Sequence, residues 1–354
     1  MKKPIISGIQ QIGIGCTDVH ACFKWYRQHL GTDIPVFDEA AEAGLMLPYT
    51  GGVPRKRHAI LAINIQGGGG LEIWQYTSRQ GQGPAFVPQL GDTGIHIAKF
   101  KSKSVSTTYH FFQEQGVELL GPIRQMPQGG GQHFYARDPY GNLCEIVPSN
   151  HWFRNSKAST GGVYGGVIGV TDIDKARVVY SEILGYNEVV YDLSGHFEDL
   201  QDLPGGQHRF RRVLLRHSQE RKGAFSRLLG QSELELIQVL DRPSRQIFAD
   251  RMWGDLGFIH LCFDIQGMAE MKALCTAKGH PFTVDSSESF DMGEAAGHFS
   301  YIEDPDGTLI EFVETHKVPI LKKINWYLDL RKRNPQKPLP NWMVRALAFN
   351  RVKD

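Results

Sequence analysis

Cysteine is scarce in this 354-residue sequence: there are five, Cys16, Cys22, Cys144, Cys262 and Cys275, with no CxxC pair. An odd set in mostly apolar surroundings excludes a disulfide framework and predicts buried free thiols in a reducing compartment. Long apolar runs are missing too, and nothing approaches the length needed to span a bilayer. The opening MKKPIISGIQQIGIG turns polar too soon for a secretory signal, so a cytoplasmic location is expected. Net charge is nearly absent, at +1. That figure hides an asymmetry: from His316 onward ten Lys/Arg face two Asp/Glu, so the tail carries +8 and the rest −7. The body therefore lacks the basic character of a nucleic-acid binder. With 41% hydrophobic and 22% charged residues, wholesale disorder is excluded as well.

What the chain does have is repetition. GQHFYARDPYGNLCEIVPS, 131–149, alternates like a strand, turns on Asp138-Pro139-Tyr140-Gly141, and continues into a second strand carrying Glu145. Proline presets φ and glycine supplies the positive-φ position, so the stretch predicts a tight hairpin. The pattern recurs as GHFSYIEDPDGTLIEFVET, 297–315, with its turn at Asp304 to Gly307 and its glutamate at Glu311. Both glutamates have apolar neighbours, and a carboxylate buried there needs a pair, hydrogen bonds or a metal.

In chain order, residues 8–16 read as a strand. Thr17-Asp18 caps a helix with Phe23, Tyr26 and Leu30 on one stripe and Gly31 at its end. Strands are expected at 43–48, 58–65 and 71–76. A second unit runs from Gly94 through strand GIHIAKF, helix SVSTTYHFFQEQG, a short strand near 118–120 and the first hairpin. Residues 148–162 read as a polar linker. Then 163–185 lies over 9–31 without a gap, LELIQ (234–238) matches LEIWQ (71–75), and GFIHLCFD (257–264) matches TGIHIAKF (93–100). The expected fold is α+β: four βαβββ modules paired into two cup-shaped mixed-sheet domains, 1–147 and 163–315. A helical tail follows over 316–354, with Ile320, Ile324, Tyr327 and Leu328 at helical spacing and WMVRALAF beyond Pro340. The tail has two readings: a strap on the body or on a homodimer partner, and a basic amphipathic segment on an anionic membrane.

The Thr17-Asp18 and Thr171-Asp172 caps, the helix ends WYRQHLG and VYSEILG, and the DPxG hairpins resemble the vicinal oxygen chelate superfamily of glyoxalase I, extradiol dioxygenases and resistance proteins. The resemblance covers about residues 7–315. It implies ligands from the first and last strands of each module: Gln11 and Glu72, His96 and Glu145, Gly165 and Glu235, His260 and Glu311. Gln11, Glu72, His96 and Glu145 form the first implied metal set, and Glu235, His260 and Glu311 an incomplete second one. If modules exchange partners, Gln11, Glu72, His260 and Glu311 share one cup instead. Zn or Ni is the expected ion, with Mn, Co or Fe as alternatives.

The implied activity is that of a divalent-metal-dependent isomerase or lyase acting on a small oxygen-chelating substrate through an enediolate. Glu145 is the first implied base and Glu72 the second. The alternatives are an extradiol-type or hydroxyphenylpyruvate-type dioxygenase and a non-catalytic ligand-binding protein. Gly165 counts against the dioxygenases, because it stands where their first histidine belongs. His133 and His298 read as equivalent positions ahead of the two hairpins. Arg55, Lys56 and Arg57 read as a loop that could grip an anion.

Overall fold

Asp18 and Asp172 fix where each half of the chain turns from strand into helix. Asp18 Oδ1 accepts from the backbone of His20 and Ala21, and Asp172 Oδ1 from Asp174 and Lys175, satisfying amides that the first helical turn leaves open. The computed structural model describes residues 3–287, 290–292, 295–321 and 326–353. The first module is β1 (Ile5–Gly15), α1 (Val19–Leu30), β2 (Ile34–Glu42), β3 (Lys56–Ile63) and β4 (Gly70–Tyr76). The second is β5 (Gly94–Ser102), α2 (Val105–Glu114), β6 (Glu118–Gln125), β7 (Gln132–Arg137) and β8 (Leu143–Pro148). The third is β9 (Thr160–Gly169), α3 (Ile173–Arg177) running into a π-turn, β10 (Glu188–Gly195), β11 (Phe210–Arg216), α4 (Ser226–Leu229) and β12 (Glu233–Val239). The fourth is β13 (Gly257–Gln266), α5 (Met268–Ala277), β14 (Val284–Asp285), β15 (Phe290–Met292), β16 (Ala295–Glu303) and β17 (Leu309–Thr315).

The modules pair by exchange. One curled sheet runs β14-β16-β17-β13-β1-β4-β3-β2, with β15 on β16, and joins modules one and four. The other runs β10-β11-β12-β9-β5-β8-β7-β6 and joins modules three and two. Each is closed at its centre by an antiparallel seam, β1 on β13 and β5 on β9. Neither cup is therefore built from one half of the chain alone. Within each half of the chain, a tyrosine ties the two cups together. Tyr26 donates to Asp138 at 2.8 Å and Tyr180 to Asp304 at 2.9 Å, each linking a helix to the DPxG turn of the next module. The largest buried cluster collects α1, α2, α3 with its π-turn and α5 against the backs of both sheets. Two smaller clusters line the cups.

Two expected elements differ. The strand expected at 43–48 lies earlier, at Ile34–Glu42, and Leu47–Tyr49 is a 3-10 turn. Gly44 and Pro48 break the ladder, while 34–42 forms an edge strand whose exposed residues hide its apolar side. The start of the tail is not helical: β18 (Lys317–Leu321) pairs antiparallel with β19 (Trp326–Asp329). Pro319 suits a two-stranded ribbon better than a helix interior. Ile324 lies outside the described residues. The WMVRALAF segment does form a helix, α6 (Asn341–Ala346).

Candidate metal centre

Side chains alternate along a strand, so every second residue faces the cup. In the sheet of modules one and four, Cys262 stands opposite both Gln11 and Glu311, and Gly13 stands opposite both Glu72 and His260. The ligand-type side chains thus come from four adjacent strands at two neighbouring levels. A Cβ on Gly13 would collide with the His260 imidazole, so glycine there keeps room for the ring. Gln11 Nε2 donates to Glu72 Oε2 at 3.2 Å and to Glu311 Oε2 at 3.4 Å. His260 Nε2 is 3.3 Å from Glu72 Oε2 and 3.1 Å from Glu311 Oε2. Among the described residues, Glu72, His260 and Glu311 are the one set of three or more His, Cys, Asp or Glu whose donor atoms converge, all within 4.8 Å.

Two observations say this cluster suits a cation. Gln11 Oε1 and His260 Nδ1 are buried without a hydrogen-bond partner, and His260 Nε2 has the two carboxylates as its neighbours. The electrostatics agree: burial alone would lower the His260 pKa, yet Glu311 and Glu72 raise it to about 9. In effect a proton supplies the positive charge that the two carboxylates require. For Glu72 burial works upward, but the hydrogen bond and charge of His260 win and hold it below the usual carboxylate range. Two carboxylates, one amide oxygen and one imidazole give a divalent ion a neutral, oxygen-rich set, so the residues present fit such an ion. Around them stand Trp74, Tyr76, Trp253, Phe299 and Tyr301. Trp74 Nε1 donates to Glu72 Oε1 at 3.3 Å, and Trp253 stacks on the His260 ring at an interplanar angle of 10°. A cavity of about 440 Å³ lies beside this centre, lined by Tyr49, Phe248, Trp253, Glu303 and Leu309 among others. It includes none of the four ligand-type residues, and Trp253 is the wall common to both.

The other cup already contains its cations. Lys99 Nζ lies 3.5 Å from Glu145 Oε2, 3.2 Å from Glu233 Oε1 and 3.1 Å from Glu235 Oε2, with all four residues buried. Arg212 binds Glu235 at 2.6 Å and Asp199 at 2.8 Å. His133 Nδ1 donates to Glu145 Oε1 at 2.6 Å, and Arg216 pairs with Glu233 at 2.7 Å. Burial opposes the Lys99 charge, but the three glutamates hold its pKa well above the ordinary value. Glu235 likewise resists burial through Arg212 and Lys99 and falls to about 2. At Gly165 a Cβ would run into the Glu233 carbonyl oxygen, so no side-chain ligand fits there. These residues do not suit a metal ion.

The structure does not bring Gln11, Glu72, His96 and Glu145 together. Gln11 and Glu72 lie in one cup, Glu145 in the other, and His96 in neither ligand set. His96 falls at a register shift between Ile95 and Ile97, where the seam pairs Ile97 with Val167. In the sister seam the shift skips Ile259, and His260 pairs with Gly13. Gly94 therefore corresponds to Gly257, Ile97 to His260 and Lys99 to Cys262. Matching HI with HL had slipped the alignment by one residue, which in a strand exchanges the two faces. His96 is buried, and burial lowers its pKa to about 4. Glu235 belongs to the Lys99 cluster rather than joining His260 and Glu311. The supposed equivalence of His133 and His298 fails by the same one-residue count. His133 is buried on Glu145, whereas the partly exposed His298 pairs with Asp285 at 2.6 Å. Arg57 is not in a loop but on β3, buried, paired with Glu39 at 2.7 Å and placed over the Trp74 ring. Sequence reasoning passed over Lys99 and Arg212; a charged residue within an apolar strand, GIHIAKF or FRRVLLR, was the signal for both.

Two curled mixed sheets of βαβββ units, one holding a convergent donor set, define a class of protein. Residues 8–146 match the family model of the Glyoxalase/Bleomycin resistance protein/Dioxygenase superfamily. Among solved structures, a mutant of glyoxalase I from Zea mays is 11% identical with a TM-score of 0.56, covering 87% of this chain and 92% of that one. A putative dioxygenase from Bacillus subtilis is 13% identical with a TM-score of 0.54, covering 89% and 86%. At such identities the likeness shows the fold. No curated protein sequence matches the chain. Members of the superfamily commonly bind a divalent metal. No described helix is long and apolar enough to cross a membrane.

Proposed function

We propose that this chain is a divalent-metal-dependent enzyme of glyoxalase type, an isomerase or lyase acting on a small substrate with adjacent oxygens. Its single centre would be held by Gln11, Glu72, His260 and Glu311. The observation that carries this reading is the convergence of those four side chains, with Gln11 Oε1 buried without a partner and His260 Nε2 set between the two carboxylates. A bound Zn or Ni, or else Mn, Co or Fe, would supply Lewis acidity to the substrate oxygens. Glu72 is anchored as a ligand, because Trp74 occupies Oε1 while Oε2 faces His260. Glu311 is the proposed base. It occupies the hairpin position that Glu145 holds in the other cup; its Oε2 faces His260 and Gln11, Tyr301 and Cys262 flank the same carboxylate, and its role would be to take a proton from the substrate carbon and return it. The aromatic walls keep bulk water away from that transfer. Glu145 cannot serve there, since it sits in the other cup between Lys99 and His133. A facial-triad dioxygenase is less well supported, because one imidazole is present where two are required.

The test is elemental analysis of purified protein with single substitutions. One divalent ion per chain, lost in Glu311→Ala and His260→Ala but kept in Glu145→Ala and His96→Ala, is the expected result. No ion after incubation with Zn, Ni, Mn and Fe(II) would leave a ligand-binding protein as the better account.

A further inference from the structure

The tail is anchored rather than trailing. Leu339 N donates to Ala224 O at 2.8 Å and Val352 N to Asp33 O at 3.0 Å, and Arg227 reaches Asn341. Val344 is buried, while Met343, Leu347 and Ala348 pack on the same cluster, which includes Ile34, Ile63 and Phe153. These residues define the inward face of α6 and of the 3-10 turn Leu347–Asn350 that continues it. The outward face should then be polar. Instead it carries Trp342 and Phe349, 58% and 88% exposed, with the exposed Arg345 between them in sequence and its guanidinium over the Phe153 ring of that cluster. Among the described residues they are the two aromatics in the set of exposed large apolar side chains. The same tail exposes Lys332, Lys337, Arg345 and Lys353. The acidic groups close by are already engaged, Asp33 with Arg351 at 2.9 Å and Asp329 with Arg331 at 3.1 Å.

We propose that this face docks the protein on an anionic lipid surface, with Trp342 and Phe349 entering the headgroup region and the tail cations facing acidic headgroups. Tryptophan suits that boundary because its ring is apolar and its N–H polar, and anionic headgroups attract each nearby Lys or Arg. Charge argues against a second copy of the chain as occupant: a twofold contact through this face would bring a +8 segment against itself. The tail packs on a cluster separate from the aromatic walls of the candidate metal centre.

The test is co-sedimentation of the full chain with phosphatidylcholine vesicles, alone and with about 30% phosphatidylserine, at about 0.1 M salt. Binding is expected only with phosphatidylserine, to fall about tenfold or more in the double variant Trp342→Ala/Phe349→Ala, and to vanish near 0.5 M salt. Trp342→Phe should keep binding while losing the quenching of tryptophan emission by brominated lipid, and unchanged circular dichroism controls for folding. Three results would each overturn the proposal: no binding to acidic vesicles, binding indifferent to the double substitution, or bromine quenching that persists in Trp342→Phe. Tail-dependent binding to a DNA duplex or tail-dependent dimerisation, without vesicle binding, would assign the face to those partners instead.

Discussion

Lys99→Met tests the assignment of the second cup as a closed ion cluster. Methionine keeps the apolar stem and removes one ammonium from between three buried carboxylates at 3.1, 3.2 and 3.5 Å. Removing one partner of a buried ionic network typically costs about 3–5 kcal/mol, because the remaining charge is left uncompensated. Compensation here is partial: Glu235 keeps Arg212 and Tyr191, Glu233 keeps Arg216, and Glu145 keeps His133. The expected loss is therefore near the lower end, about 3 kcal/mol, read as a fall in the urea midpoint at unchanged slope. It should shrink in acid, where Glu145 can take up a proton in place of the missing ammonium. Adding Glu145→Gln to Lys99→Met should recover about 1 kcal/mol or more, a coupling that appears only between contacting groups. A Lys99→Met protein as stable as its parent and binding an extra divalent ion would refute the reasoning, because the cup would then be a metal site that lysine merely blocks.

Other consequences can be read in parallel. Trp74→Phe frees Glu72 Oε1 and should weaken metal affinity about 10–100-fold in a chelator competition while leaving stoichiometry at one. Asp264 is buried, and burial raises its pKa to about 7 against the smaller opposing effect of Ser7. A raised carboxyl pKa means ionisation opposes the fold: the cost is absent below about pH 4, grows up to pH 7, and then levels at about 4 kcal/mol or less. Asp264→Asn should therefore raise the urea midpoint at pH 8 and match wild type near pH 4. Glu235 runs the opposite way. With a folded pKa of about 2, its contribution is full above the unfolded value near 4.3 and is lost as pH falls toward 2, so Glu235→Gln should flatten the acid limb of the stability profile.

The modules were legible because they are stated in short-range chemistry. A Thr-Asp pair caps a helix, a tyrosine closes it onto a DPxG aspartate, and the same residues return about 150 positions later. Which strands meet was not legible, since the β1–β13 seam joins residues some 250 positions apart and no local pattern records it. The candidate site shows the same division. Gln11, Glu72, His260 and Glu311 all stood out individually, but their grouping depended on the seam. His96 shows how a single bulge defeats string matching. The glycines that open the two strands, Gly94 and Gly257, give the correct register, and the eye-catching histidines do not.

The two cups answer one electrostatic problem in two ways. Each hairpin delivers a glutamate to the middle of a curled sheet, and a buried carboxylate there must be neutralised. In the cup of modules two and three the neutralising cations are covalent parts of the chain: Lys99 stands where the other cup has Cys262, and Arg212 reaches in from β11. In the cup of modules one and four, among the described residues, Glu311 has no lysine or arginine partner; His260, Gln11, Tyr301 and the Cys262 thiol stand by it, and burial and then Glu311 push the thiol pKa well up. The same fold thus carries one cup that is electrostatically complete and one whose acidic donors call for a cation from outside. That asymmetry, more than the likeness of the two halves, supports a single metal centre between modules one and four. Because its donors come from both ends of the chain, Glu72 from β4 and Glu311 from β17, a fragment holding either half alone should bind no divalent ion at this site, and mixing the two halves should restore binding only if they reassemble the β1–β13 seam.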